Sequence, residues 1–196
     1  MTANALPEFP VQSPDQPNSP SDQQLIAAIN AGDAAAFEAL YFRHRDWVVN
    51  LACRFTGSED LALDVMQETF LYFLKKFPGF RLTANLKTFL YPAVKNLSIA
   101  ARRKAGRYQS TEAEQQLLEQ TATDTPQPCR SSELAATLAH LSEEHREVLW
   151  LRFVDDLSLA EIAEATTIPL GTVKSRLHNA LNALRRDEWA KRFFNE

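Results

Sequence analysis

The stretch "SLAEIAEATTIPLGTVKSRLHNALNALRR", Ser158 to Arg186, decides the fold. Ser158 and Glu161 stand three apart, the spacing at which a hydroxyl and a carboxylate satisfy backbone donors reciprocally at a helix start. The short helix so opened, "LAEIAEAT", turns Leu159, Ile162 and Ala163 inward. A brief turn, "TIPLG", leads into a longer helix in which Val173, Leu177, Ala180, Leu181 and Leu184 recur at helical spacing. Its other side carries Lys174, Ser175, His178, Asn179 and Asn182, with Arg176 at the flank. A short capped helix, a tight turn and a longer helix with a polar leading face make a helix-turn-helix. The second helix of that motif enters the major groove and reads base edges from its first turns. Lysine and arginine suit guanine acceptors there, and asparagine can bridge adenine.

The chain as a whole is acidic, with 21 Lys and Arg against 25 Asp and Glu. A polyanion must therefore be met by cations gathered locally. A second gathering is Arg81, Lys87, Lys95, Arg102, Arg103, Lys104 and Arg107, with no Asp or Glu between Arg81 and Arg107. Phe80, Phe89 and Tyr91 are interleaved with it. Cations release counterions from a nucleic acid, and aromatic faces stack on unpaired bases. The plainer alternative is a solvated basic face whose aromatics belong to the core. Pro92 falls inside this pattern and lacks the backbone donor, which leaves two readings: a kink that re-aims Tyr91 and Lys95, or a helix start other than the one near Asn85.

Between these landmarks the periodicity is helical and no strand pattern emerges, so the fold class is all-α: two small helical domains joined by a flexible linker. Residues 1–20 hold five prolines and little that can pack, which reads as a disordered tail. Residues 21–107 form a four-helix unit. Ser21 with Gln24, Asp33 and Ser58 open successive helices, Gly57 and Pro78-Gly79 close two of them, and the fourth runs from near Asn85 to about Lys104. Residues 108–131 read as an acidic linker, with Thr111 and Glu114 spaced to start one short helix to Gln120. Residues 132–190 form the second domain: a leading helix, one opening at Ser142, and the helix-turn-helix pair.

Several function classes drop out. No run of about eighteen apolar residues is present, so no membrane insertion is expected. The amino terminus lacks the basic start and apolar core of a secretory signal. Cys53 and Cys129 read as reduced thiols, which points to the cytoplasm. His178 beside Ser175 has no orienting acid on that face, and His44, His140 and His145 lack metal-ligand spacing. The chain is therefore read as no enzyme, with no catalytic residue, no metal and no cofactor.

Two segments resemble a known family, the small two-domain bacterial sigma factors of the extracytoplasmic-function group within the sigma-70 family. "GDAAAFEALYFRHRDWV", "DLALDVMQETFLYFLKKF" and "LKTFLYPAVKNLSIAARRK" are similar to the sigma domain that binds core RNA polymerase and melts the promoter. "LAHLSEEHREVLWLRFVDDLSLAEIAEATTIPLGTVKSRLHNALNAL" is similar to the domain that reads the minus-thirty-five element. The resemblance implies that Asp64, Gln67, Glu68, Phe70 and Leu71 grip core polymerase. It implies that the loop "PGFRLTANLK" cradles a base flipped from the minus-ten element, with Asn85, Lys87, Tyr91, Lys95, Asn96, Arg102 and Arg103 contacting that DNA. Thr172, Lys174, Ser175, Arg176, His178 and Asn179 would meet the minus-thirty-five duplex. The chain departs from the family at Asn179, where arginine is frequent, at His178, where an aromatic is frequent, and at Pro92.

The partners implied are core RNA polymerase and promoter DNA, with an anti-sigma factor as a further candidate. No added regulatory domain is expected after Arg186. Two rival readings remain at this level: a helix-turn-helix regulator acting without core polymerase, and a polymerase-binding adaptor. The regulator does not account for the acid-free basic helix at Lys87–Lys104.

Overall fold

The computed structural model describes residues 19–116 and 141–186. Among them seven helices follow in order: α1 (Asp22–Asn30), α2 (Ala34–Thr56), α3 (Glu59–Leu74), α4 (Leu86–Gln116), α5 (Glu143–Phe153), α6 (Leu159–Thr166) and α7 (Leu170–Arg186). The helix starts are where side-chain acceptors stand ready. Ser21 with Gln24 and Ser158 with Glu161 form complete capping boxes, and Asp33, Ser58 and Ser142 accept from the first-turn amides. Gly57 ends α2 at φ 73°, a left-handed conformation open to glycine at no steric cost. The proline-rich tail up to residue 18, the linker beyond Gln116, the helix expected from Ser132, Cys129 and His140 lie outside the described residues.

The first three helices and α4 bury one common core. Leu40, Val48 and Leu51 of α2 meet Val65, Phe70 and Phe73 of α3 and Leu86, Leu90 and Val94 of α4. Phe73 is the centre of an aromatic cluster, 0% exposed, with the rings of Phe77, Phe80 and Phe89 at 5.1, 5.3 and 6.1 Å. Such edge-on and tilted arrangements suit the ring quadrupoles. At the other end, the carboxylate of Asp22 takes Arg43 Nη1 at 2.7 Å and lies 2.9 Å from His44 Nε2, fixing α1 on α2. Burial pushes the Asp22 carboxyl up, but the His44 hydrogen bond and charge, together with Arg43, outweigh it and leave it below its ordinary value.

One expectation for the basic helix needs correction, and two readings left open by the sequence are decided. First, α4 does not stop near Lys104; it runs unbroken to Gln116, so Thr111 lies inside a helix and not at the start of a new one. The extra segment is mostly good helix formers, and the lone Gly106 costs only about 1 kcal/mol. Second, the helix begins at Leu86, as expected near Asn85, and passes through Pro92. Pro92 cannot donate to the Thr88 carbonyl one turn back, and Thr88 Oγ1 is itself buried without a hydrogen-bond partner. Third, Phe80 and Phe89 are packed with each other at 4.7 Å and against Phe73, and Tyr91 is only 1% exposed. The aromatics serve the core, as the plainer alternative had it.

Helices α5 to α7 bury Val148, Leu151, Ile162, Ala165 and Val173 together, and Leu149 with Ala180 forms a second small cluster under Leu177, Leu181 and Leu184. The α5–α6 turn is closed by Leu157 N–H to the Leu151 carbonyl at 2.9 Å and by Arg152 to the Leu157 carbonyl at 3.0 Å. Leu157 and Ile162 join the same continuous apolar cluster as the α1–α4 core, so the two units are in direct contact.

Removing a fully buried ring leaves a cavity as well as lost transfer energy. Phe73→Ala is expected to cost about 3–5 kcal/mol, read as a lower denaturation midpoint at unchanged slope; a loss below about 1 kcal/mol would contradict the central place given to this ring.

Candidate nucleic-acid interface

Lys87, Tyr91 and Lys95 are spaced four apart and therefore share one face of α4. Asn85 caps this helix, its Oδ1 accepting the Lys87 amide at 3.0 Å. All three members of the stripe reach into the α5–α6 unit. Lys87 Nζ donates to the Asp155 carbonyl at 3.0 Å, Tyr91 donates its hydroxyl to Glu147, and Lys95 Nζ pairs with the same Glu147 carboxylate at 2.5 Å. Burial first, then the Glu147 charge and hydrogen bond, hold the Tyr91 hydroxyl well above the ordinary phenol range. Lys87 also lies over the Trp47 ring and Lys95 over the Phe55 ring, at 5.8 and 5.9 Å.

The Asp155 side chain completes this junction. It is 2% exposed, and its carboxylate accepts Trp47 Nε1 at 2.8 Å and Arg54 Nη2 at 2.7 and 3.0 Å. Glu161 is held below the ordinary carboxylate range by the Ser158 amide and hydroxyl, with help from Asn85 and Lys87. Farther along α4, Arg102 donates to the Phe55 carbonyl at 3.1 Å, while Asn96 and Arg103 are exposed one position round the helix from the stripe.

The loop between α3 and α4 is pinned from α1. Asn30 Oδ1 accepts the Gly79 amide at 2.6 Å, and Asn30 Nδ2 donates to the Phe80 carbonyl at 2.8 Å. Gly79 sits at φ 98°, a conformation L side chains rarely adopt.

On α7, Lys174, Ser175, His178 and Asn179 are exposed on one face. Ser175 Oγ donates to the Thr172 carbonyl at 3.0 Å, and His178 Nε2 lies 2.8 Å from Asn182 Nδ2. Thr172 is half-buried, its amide bonded to Pro169. Arg176, at the flank, pairs with Glu144 of α5 at 2.9 Å. On α3, Asp64, Gln67, Glu68 and Leu71 are exposed, beside the exposed apolar Leu63, Tyr72 and Leu74. Phe70 does not belong to that face. It is 4% exposed and packed edge-on against Tyr41 at 4.8 Å and Phe37 at 6.4 Å, because its helical phase matches the core residues Val65, Met66 and Phe73.

Residues 40–108 match the Sigma-70 region 2 family and residues 137–186 match Sigma-70, region 4. The chain is 31% identical over 177 residues to the ECF RNA polymerase sigma factor SigW of Bacillus subtilis, covering 84% of this chain and 95% of that one. The chain belongs to the extracytoplasmic-function (ECF) sigma factors. It is also 33% identical over 165 residues to ECF RNA polymerase sigma factor SigL of Mycobacterium tuberculosis, covering 82% of this chain and 93% of that one. Among solved structures, CnrH in complex with the cytosolic domain of CnrY aligns with a TM-score of 0.59 at 23% identity, over 82% of this chain and 92% of that one. The sigma factor RpoE with the anti-sigma factor NepR from Bartonella quintana aligns at 0.55 and 24% identity, over 74% and 92%. These two share the helical fold.

As an ECF sigma factor the chain directs promoter-specific transcription initiation. No helix among the described residues is long and apolar enough to cross a membrane. In region 2, the structure brings Asn85, Lys87, Tyr91 and Lys95 together and leaves Asn96 and Arg103 one position round the helix. Four participants in the site escaped the sequence reading: Asn30, which holds the loop, and Arg54, Glu147 and Asp155, which meet the stripe or its surroundings. For Asn30 one signal existed, an amide just before Gly32 where a helix ends. The acids gave none, since their partners are remote in sequence.

Asn30→Ala removes both anchors of the loop, and each such bond contributes about 0.5–1.5 kcal/mol. Faster amide exchange confined to residues 78–85 is the expected outcome in this ECF sigma factor; unchanged exchange there would show that the loop is held by its aromatics alone.

Proposed function

We propose that the α4 stripe and its loop engage the melted non-template strand of the minus-ten element, that the exposed face of α7 reads the minus-thirty-five duplex, and that Asp64, Gln67, Glu68 and Leu71 of α3 dock on core RNA polymerase. One observation carries this reading: two cationic helices of opposite recognition type lie in one acidic chain, the first without an acid from Arg81 to Arg107. A duplex reader needs base-edge donors on a slim helix, which Lys174, Ser175, His178 and Asn179 supply. A single-strand reader needs cations beside a shaped loop, which Lys87, Lys95, Arg102, Arg103 and the pinned Gly79–Asn85 segment supply. Flipping a base from the stack costs a few kcal/mol, an amount that pocket contacts of similar size offset.

On this reading the protein works by binding and not by turning over a substrate, requires no cofactor, and acts in the cytoplasm on the polymerase. An anti-sigma factor is proposed as a further partner, of the kind the Bartonella quintana relative was captured with.

Run-off transcription with core polymerase and a promoter library tests the whole: start-site selection conferred by the added chain is expected, and its absence would sink the reading. Lys174→Ala should weaken transcription by about five- to 150-fold on promoters with the upstream element, corresponding to the loss of about 1–3 kcal/mol of base contact. An equal loss on promoters lacking that element would contradict the assignment to α7. Lys95→Ala should slow open-complex formation and reduce the slope of log affinity against log salt by about 0.7. An unchanged slope would remove Lys95 from the strand path.

A further inference from the structure

His178 stands on the exposed face of α7 with a single hydrogen-bond partner. Its Nε2 lies 2.8 Å from Asn182 Nδ2, one turn farther along the helix. An amide nitrogen only donates, so Nε2 is the acceptor and the ring carries its hydrogen on Nδ1. We infer that His178 makes recognition of the upstream duplex proton-dependent: the ring takes a proton from the buffer as α7 binds, and the imidazolium pairs with a backbone phosphate. This rests on the assignment of the exposed α7 face to the minus-thirty-five duplex, which by itself asks for no change of charge.

Placement and partners both allow the change. Lys174, His178 and Asn182 are spaced four apart and form one strip of α7, beginning in the turns with which a recognition helix meets DNA. Asn182 serves either state of the ring. Turned half round, its amide presents Oδ1 to the hydrogen that protonation places on Nε2, so proton uptake breaks no fixed pair. The protein itself offers the new cation no anion. Glu144 of α5 is taken by Arg176 at 2.9 Å, and Glu161 of α6 by the Ser158 amide at 2.8 Å. Among the described residues no charged group of α5 or α6, Glu143, His145, Glu147 and Glu164 included, makes an ion pair or hydrogen bond with His178. On α7 itself the charged neighbours are Lys174 one turn before and Arg185 two turns after, both exposed. A phosphate lying beside Lys174 and the imidazole supplies the missing anion and favours the charged ring.

Imidazole is the side chain that changes charge between about pH 5 and pH 8. Binding linked to proton uptake strengthens as pH falls through that range and weakens as it rises. A cation added at the interface also displaces a further counterion, so the salt dependence steepens on the acid side. Promoters that depend on the upstream element are thereby favoured in acid, while those recognised through the minus-ten element alone are not. An aromatic hydrocarbon ring at this position, frequent in the family, has no such response.

The test uses the holoenzyme and two promoter duplexes, one with the upstream element and one without it, at about pH 6 and about pH 8. The wild type is expected to bind the first duplex about threefold tighter at the lower pH, with a salt slope steeper by about 0.9. His178→Gln, a surface change that leaves the fold intact, should lose both differences and match the wild type at the higher pH. His178→Lys should bind at both pH values as the wild type does at the lower one. Comparing variants under identical conditions cancels whatever the polymerase contributes. An equal pH dependence in the wild type and His178→Gln overturns the inference, as does an equal gain on the duplex without the element. A dependence abolished by His145→Gln and kept by His178→Gln places the proton on α5 and overturns it too. Lys174→Ala tells the underlying assignment apart: if it binds both duplexes as the wild type does, the α7 face is not the reader. A selective loss in Lys174→Ala beside a pH-independent wild type sinks the proton alone.

Discussion

A single carboxylate, that of Asp155, organises the junction between the two halves of the molecule. It comes from the turn after α5, yet its charge is met by Trp47 and Arg54 on α2 and its own carbonyl by Lys87 on α4. A buried acid is tolerable only when its lone pairs are filled, and here Trp47 and Arg54 from the other unit fill them. The balance is asymmetric. As a pair the contact contributes little net stability, but with one partner gone the other is left desolvated and charged. The position of region 4 on region 2 is therefore strongly specified while the interface as a whole remains polar, and the apolar continuity through Leu157 and Ile162 supports it from below.

Most of the fold was legible because helix ends are local chemistry. Ser21, Asp33, Ser58, Ser142 and Ser158 cap where their side-chain oxygens reach amides two or three residues on, and such ranges lie within a short window of sequence. The end of α4 was misplaced for the complementary reason. Nothing in residues 105–116 stops a helix: the acidic composition reads as a linker, yet Glu and Gln are good helix formers. The resemblance places Phe70 with Leu71 on the polymerase face, but at 100° per residue the two point in different directions, Phe70 to Tyr41 and Leu71 to solvent.

The candidate site was legible as a set of cations and illegible as a geometry. Lys87, Tyr91 and Lys95 share a face by spacing alone, but what covers that face depends on residues fifty or more positions away. The sequence also offered no way to separate aromatic side chains that stack on bases from those that fill a core. Packing did, since Phe73 needs Phe77, Phe80 and Phe89 around it.

The turn between α6 and α7 holds a removable strain. Thr167 ends α6 in the left-handed region at φ 57°, where a β-branched residue is a true outlier and carries strain of about 1–2 kcal/mol. The angle between the two helices is thus set by backbone handedness and by Ile168 packing below it, and not by any need for the threonine itself. Glycine or asparagine at that place relieves the cost and keeps the angle, so thermal tolerance can be raised in the recognition element without re-aiming it.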